Sequence, residues 1–324
     1  MFCDGEMNHL YADKQPTTGN HVSPAPVMRQ VVTVIYNPTA GWRRRRKLIE
    51  VVEAMNHRGA IVTLRETSGP GDAERFASKA AEDGSAEIVV AAGGDGTINE
   101  VANGLAGSQV PLGVIPTGTA NVLAIDIGLP KSNDALGELL LTGAPRPIGA
   151  GRVNKRFFLL WVGAGFDGRL VHAIDPMMKR RFGKLAFVWA VIEQVFGPQG
   201  SAIRVSDGTQ EVECGWAVVA NAEHYAGSYR LAPSAQFDAV GLKTLCVAAR
   251  SRVGLVLALL GLAVGRLEKM PGVTVLTSHR ITIGLKGRDT SDPVQVDGDD
   301  MLTLPVDVEC WDVAKAPQIR LVMP

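Results

Sequence analysis

The chain has 324 residues, 46% hydrophobic and 20% charged, with 33 basic residues balanced by 33 acidic ones. That length argues for two domains rather than one core, and the zero formal net charge excludes the broad basic field of a nucleic-acid partner. Cys3, Cys214, Cys246 and Cys310 lie far apart without a CxxC spacing, which excludes a disulfide framework and a zinc ribbon and fits a reducing cytosol.

Residues 1–28 lack the basic start and apolar stretch of a signal peptide and read as a disordered lead-in rich in Asp, Asn, Thr and Pro. From 29 to 147, strands and helices alternate. "QVVTVIYNP" is a β-branched strand ending in a Pro turn, and "RKLIEVVEAMNHRG" follows at helical spacing with a Gly stop. "AIVTLRET" is the second strand and "GDAERFASKAAEDG" the second helix. "AEIVVAAGG" then leads into the helix "TINEVANGLAG", and "VPLGVIPTGT" into the helical "ANVLAIDIG" and "DALGELLLTG". This rhythm predicts an α/β domain: a parallel sheet covered on both faces, with ligands at the carboxyl ends of its strands.

From 148 to 324 the rhythm changes to many strands separated by Gly, Asp and Pro turns, which predicts a mostly β, sandwich-like domain. Its predicted helices are few, "KLAFVWAVIEQVF" and the segment 253–270. The apolar run Val253 to Gly265 is too short to cross a bilayer. The closing "PQIRLVMP" is one more strand, free to return to the first domain.

The phosphate loop GxxxxGK[ST] is absent. A GxGxxG match, "GAGFDG" at Gly163–Gly168, lacks the following strand and acidic residue that a dinucleotide site needs. "AAGGDGT" has better surroundings: it ends an apolar strand and opens a helix, where free amides and the helix dipole favour an anion. Asp95 within it makes chemical sense beside phosphate if Mg²⁺ bridges the two. A plain βα turn explains the loop alone equally well. "YNPTAG" and "PTGTANVLA" follow two other strands of the same sheet, and "ETSGPGDA" a third, so the loops converge on a phosphate-rich ligand. The basic run Arg43–Lys47 is a solvated helix face or a phosphate neighbour. In the second half, "VQVDGDD" reads as an Asp-Gly hairpin turn or as a carboxylate facing the crevice.

Taken together, "YNPTAG", "GGDGTINEVANGL", "GVIPTGTANVLAIDIGLP", "GAGFDGRLVHAID", "VVANAEHYAGSYRLAPSA" and "VQVDGDD" occur in the order expected of the diacylglycerol kinase catalytic-domain family, and the chain resembles it from about residue 29 to 324. The family includes bacterial lipid kinases and sphingosine kinases; NAD kinases and phosphofructokinases share a related glycine loop. The resemblance implies an α/β nucleotide domain with a parallel sheet, a β-rich lipid domain, and ATP in the cleft between them. It implies transfer of the ATP γ-phosphate, with Mg²⁺, to a hydroxyl of a lipid such as diacylglycerol. Asn37, Pro38 and Gly41 match its first nucleotide loop, Thr67 the second, and Gly93, Gly94, Asp95, Gly96 and Thr97 the phosphate loop. Asn99 and Glu100 continue that motif, and Gly118, Thr119 and Asn121 match the last loop.

Asp297, Gly298 and Asp299 match the family's Asp-Gly-Glu, so Asp297 or Asp299 is the implied proton acceptor and Asp95 a competitor. Metal ligation is expected of Asp95 and of Asp238, the carboxylate left in "PSAQFDAVGL" where the family holds a structural Mg²⁺. The chain departs from the bacterial pattern at Val122 and Gly149, each in place of an Asp. The expected partner is a lipid at a membrane surface, bound peripherally by a cytoplasmic protein, with a homodimer left open. Arg180, Arg181 and Lys184 are candidate headgroup contacts. The competing readings are an NAD kinase-like enzyme and a catalytically weakened nucleotide- or lipid-binding protein.

Overall fold

β-Branched and alanine-rich runs buried on both sides set the first sheet. β1 (Val31–Tyr36), β2 (Ile61–Glu66), β3 (Ile88–Gly93) and β4 (Leu112–Pro116) are parallel, in the order β2-β1-β3-β4. Between and after them run α1 (Trp42–His57), α2 (Asp72–Glu82), α3 (Asp95–Leu105), α4 (Val122–Asp126) and α5 (Asn133–Thr142). Alternation along the strands decides which helix covers which face. Val32, Val34, Ile88 and Val90 pack under α1 and α5 through Leu48, Val51, Met55, Leu136 and Leu140. Ile35, Val89, Ala91 and Val114 pack under α2 and α3 through Ala73, Ala77, Ile98, Val101 and Leu105. The strand order reverses between β1 and β3, which opens a crevice beyond their carboxyl ends. In this computed structural model the described residues are 30–38, 42–174, 184–197, 200–237, 241–249, 251–286, 291–311 and 319–324. The lead-in 1–28, Gly41, Asp238, Arg180 and Arg181 lie outside them, as does the side chain of Lys184.

β5 (Pro145–Ile148) ends the first sheet, and the chain then builds two antiparallel sheets. In chain order these use β6 (Ala150–Val153), β7 (Arg156–Phe158), β8 (Trp161–Gly165), α6 (Phe166–His172), α7 (Lys184–Phe196), β9 (Ile203–Ser206), β10 (Glu211–Cys214) and β11 (Trp216–Ala220). They continue with the short hairpin β12 (His224–Tyr225) and β13 (Tyr229–Arg230), then β14 (Leu242–Val247), α8 (Arg252–Ala263), β15 (Val273–Ser278), β16 (Arg280–Leu285), β17 (Pro293–Val296), β18 (Asp299–Thr303) and β19 (Val306–Trp311). Sheet β10-β9-β16-β19-β6-β7 faces sheet β15-β14-β11-β8-β17-β18. Val153, Phe158, Val162, Val205, Val219, Ile283, Val296 and Val308 fill the space between them. The last strand, β20 (Ile319–Val322), joins the first sheet, parallel to β4 and antiparallel to β5.

Local expectations differ from the structure in three places. α1 begins at Trp42, ahead of the expected start at Arg46, so the whole basic run lies in its first turns. The unbroken apolar run "RFFLLWVGAG", which as sequence suggests one strand, forms two, β7 and β8, separated by a corner at Leu159–Leu160. "GAGFDG" ends β8 and opens a helix, α6, that was not expected; the strand and the helix fit the dinucleotide pattern, but the next described element is another helix, α7, rather than a second parallel strand.

Candidate active site

The loops after β1, β3 and β4 meet at one place. Thr117 N donates to Gly93 O at 3.0 Å, and Asn37 N to Ala92 O at 3.2 Å. Gly94 and Gly118 touch backbone to backbone: a Cβ on Gly118 would lie 2.4 Å from Gly94 Cα. Asn121, in the left-handed region with φ 51°, folds back to accept from Gly118 N at 2.7 Å and to donate to Gly118 O at 3.1 Å. Arg44, from the basic run, reaches in from α1 and donates to the Thr119 hydroxyl at 3.2 Å. Thr67 is buried and bonds Tyr36 O through both its amide (3.0 Å) and its hydroxyl (3.3 Å), closing the rim beside β1.

Helix α3 starts without a side-chain cap, since Gly94 holds the N-cap position. The start of a helix with no side chain at its N-cap is a place that suits an anion. Asp95 turns its carboxylate toward the start of α4, where Leu123 N donates to Oδ1 at 3.2 Å. Burial pushes this carboxyl above its usual range, and the backbone N–H groups of Val122 and Leu123 pull the other way. Glu100, one turn on, accepts from Gly71 N at 3.0 Å and Ala73 N at 3.1 Å, so its carboxylate caps α2. Thr97 packs against Gly93, where a Cβ would meet its side chain.

The second domain closes the other wall. The β17–β18 hairpin turns through Asp297 (φ 51°) and Gly298 (φ 88°), the two positive φ values of a type I′ turn. Asp297 is buried and its carboxylate is fully occupied. It accepts from Leu159 N (2.8 Å), Leu160 N (2.9 Å), Trp161 N (3.0 Å) and Asn99 Nδ2 (2.7 Å). Burial pushes this carboxyl up to about 6 against the pull of those four donors. Asp299, two residues on, is partly exposed and lies against the glycine loop: a Cβ on Gly96 would sit 2.2 Å from its Oδ2. "VQVDGDD" is thus a hairpin turn that sets the Asp299 carboxylate against the glycine loop of the first domain.

Asn99, which the motif singled out, holds this arrangement together with several residues that it did not. Asn99 and Asn103 stand one turn apart on α3; Asn103 exchanges hydrogen bonds with the backbone of Phe157, at 2.9 and 3.0 Å. Arg156 reaches Glu74 at 2.9 Å and Asn99 Oδ1 at 3.2 Å, a second tie between the domains. Asp167 is buried, and no cation among the described residues pairs with it; it accepts from the Tyr225 hydroxyl and from Gln295 Nε2 (2.7 Å), and burial pushes it up to about 6. Gln295 in turn accepts from Gly298 N at 2.8 Å, which ties Asp167 to the hairpin turn. Asp126, from α4, accepts from His224 at the short hairpin. In the sequence Asn99 is marked by its place in the glycine-loop motif, and Asn103 only as a second poor helix former one turn on.

The site fits a nucleotide's phosphates: two glycine loops in backbone contact, an uncapped helix start and Arg44 stand on one side, and Asp299 faces them. For Mg²⁺, Asp95 and Asp299 bring two carboxylates to α3's first turn, while no group of three or more His, Cys, Asp and Glu stands together among the described residues.

Comparison with known proteins agrees with this architecture. The diacylglycerol kinase catalytic domain profile matches residues 31–153, and the YegS C-terminal NAD kinase beta sandwich-like domain matches 161–317. A diacylglycerol kinase of Bacillus subtilis (strain 168) is 38% identical over 159 residues, 48% of this chain and 52% of that protein. "Probable lipid kinase YegS-like" of Klebsiella pneumoniae (strain 342) is 36% identical over 145 residues, 44% of this chain and 48% of that protein. The aligned part thus spans about half the length of these curated relatives. A crystal structure of a diacylglycerol kinase from Bacillus anthracis str. Sterne superposes with a TM-score of 0.71 at 20% identity, over 91% of this chain and 97% of that one, a likeness of fold. The α/β half thus matches a diacylglycerol kinase catalytic domain and the β sandwich a YegS C-terminal domain, each in place and in order.

Proposed function

We propose that the protein transfers the γ-phosphate of ATP to a hydroxyl of a lipid such as diacylglycerol. The observation that carries this reading is the contact of Asp299 with Gly96, which sets a carboxylate from one domain against the phosphate loop of the other. The glycine loops and the start of α3 hold the phosphates, with Arg44 beside Thr119 and with Asn37, Pro38 and Thr67 toward the nucleoside. Asp95 and Asp299 are the carboxylates close enough to the loop that they would help hold Mg²⁺, which when bound would offset phosphate charge.

Proton transfer falls to Asp299 rather than Asp297, because all the acceptor capacity used by Asp297 goes to three amides and Asn99. The lipid hydroxyl approaches from the second domain, Asp299 accepts its proton, and positioning supplies most of the remaining rate. Asp95 keeps α4 and the loop before it seated on α3. The test is an assay with radiolabelled ATP and Mg²⁺ against total lipid extract. Labelled phosphatidic acid or another labelled lipid supports the reading; label in NADP alone, or nucleotide binding without turnover, overturns it.

A further inference from the structure

Helices α7 and α8 are apolar on the side that faces away from the protein. On α7, Val188, Trp189, Ile192 and Phe196 are 47–67% exposed and recur at the spacing of one helix face. On α8 and its C-cap, Val253, Val256, Leu257, Leu260 and Val264 are 41–70% exposed and recur in the same way. The opposite faces are spent on the core: Ala190 and Val195 of α7, with Leu255, Ala258 and Leu262 of α8, join one cluster with Trp161, Trp216 and Tyr225. Arg252 Nη2 donates to Phe196 O at 2.9 Å, which sets the end of α7 against the start of α8 and makes the two stripes neighbours. Nine large apolar side chains in one exposed area are far more than the scattered singles of an ordinary surface.

We infer that the outer faces of α7 and α8 form a docking surface that seats the protein on an anionic bilayer, α7 and α8 lying in the interface. The inference rests on the lipid-kinase reading, which requires a substrate held in a membrane. Two features favour a bilayer over a second copy. Among the described residues, exposed Arg252, Arg266 and Lys269 surround α8, and Glu193 is an exposed acid at the edge of the α7 stripe. A symmetric pair would bring like cations together, whereas anionic headgroups would meet them with opposite charge. Trp189 is also suited to the boundary between acyl chains and headgroups. With 13 and 12 residues, α7 and α8 are too short to cross, so their geometry is that of interfacial helices.

The test is co-sedimentation with vesicles of equal parts phosphatidylcholine and phosphatidylglycerol, without ATP or acceptor lipid. The wild-type protein should bind, more weakly to phosphatidylcholine alone, and the double variant Trp189→Glu, Leu260→Glu should bind about a hundredfold less, about tenfold per side chain. Both positions are exposed, so the variant should keep its thermal transition and its turnover of a short-chain diacylglycerol dispersed in detergent. Equal vesicle binding by the two proteins, or none by the wild type, overturns the inference. So does a wild-type dimer that the variant makes monomeric with vesicle binding unchanged, which would assign the face to a second copy. Wild-type binding to vesicles without phosphorylation of any lipid would instead defeat the kinase reading and leave the docking surface standing.

Discussion

Asn99 Nδ2 donates to Asp297 Oδ2 at 2.7 Å, joining residues 198 positions apart across the junction of the two domains. The bond fixes the hairpin turn that carries Asp299 relative to the helix that begins at the phosphate loop. Removing it leaves a buried carboxylate one donor short and takes an acceptor from Arg156. Asn99→Leu should therefore destabilise the protein by about 2–3 kcal/mol, read as a lower urea midpoint at unchanged slope. A midpoint equal to wild type would show that the three backbone donors suffice.

Asp299→Asn separates the two carboxylates of the turn. It removes the proposed proton acceptor and leaves the hydrogen bonds of Asp297 in place. Lipid phosphorylation should fall by about 10²–10⁴-fold in kcat, with the urea midpoint close to wild type. Near-normal kcat would move the proton to another group, with Asp95 next in line.

Gly96→Ala and Gly118→Ala probe the two close approaches. A methyl at Gly96 meets the far end of the Asp299 side chain, which can swing away. Helix propensity at that position improves by about 0.5–1 kcal/mol, so the fold should survive while kcat falls. At Gly118 the methyl meets the Gly94 backbone, which cannot yield without parting the loops. That variant should lose nucleotide affinity, seen as a raised KM for ATP or weaker binding by calorimetry. Unchanged kinetics in both would detach the glycine loops from catalysis.

Asp167 and Asp297 give stability an unusual pH dependence. Burial holds both carboxyls at about 6, above the ordinary 3.8. Between about pH 4 and 6 the folded chain therefore keeps protons that the unfolded chain has released. Their contribution to stability falls as pH rises through that window and is level above it, by at most about 3 kcal/mol for each group. Urea midpoints measured across the window should show a shallower decline for Asp167→Asn than for wild type. Parallel profiles would refute a titrating Asp167.

Much of the site was legible because it is built from backbone. A loop that must approach phosphate or another loop needs glycine, so "GGDGT" and "PTGT" announce themselves in sequence, and strand–helix alternation fixes which end of the sheet they occupy. Side chains that serve by partnership leave no such mark. Glu100 sits inside the phosphate motif, yet its carboxylate caps α2; Asp167 sits inside a glycine motif, yet its partners are Tyr225 and Gln295. Neither partner can be named from local spacing, because each lies on an element brought close only by folding.

The same division separates the two aspartates of "VQVDGDD". By itself the sequence determined the two-domain order, the loops and the turn, since periodicity and glycine placement are local properties of the chain. Only the tertiary structure decided that Asp297 is consumed by the corner at Leu159–Leu160 while Asp299 faces Gly96. The physical reason is that a carboxylate's role depends on which donors surround it, and those donors come from the β7–β8 corner, the start of β8 and α3, far away in the chain.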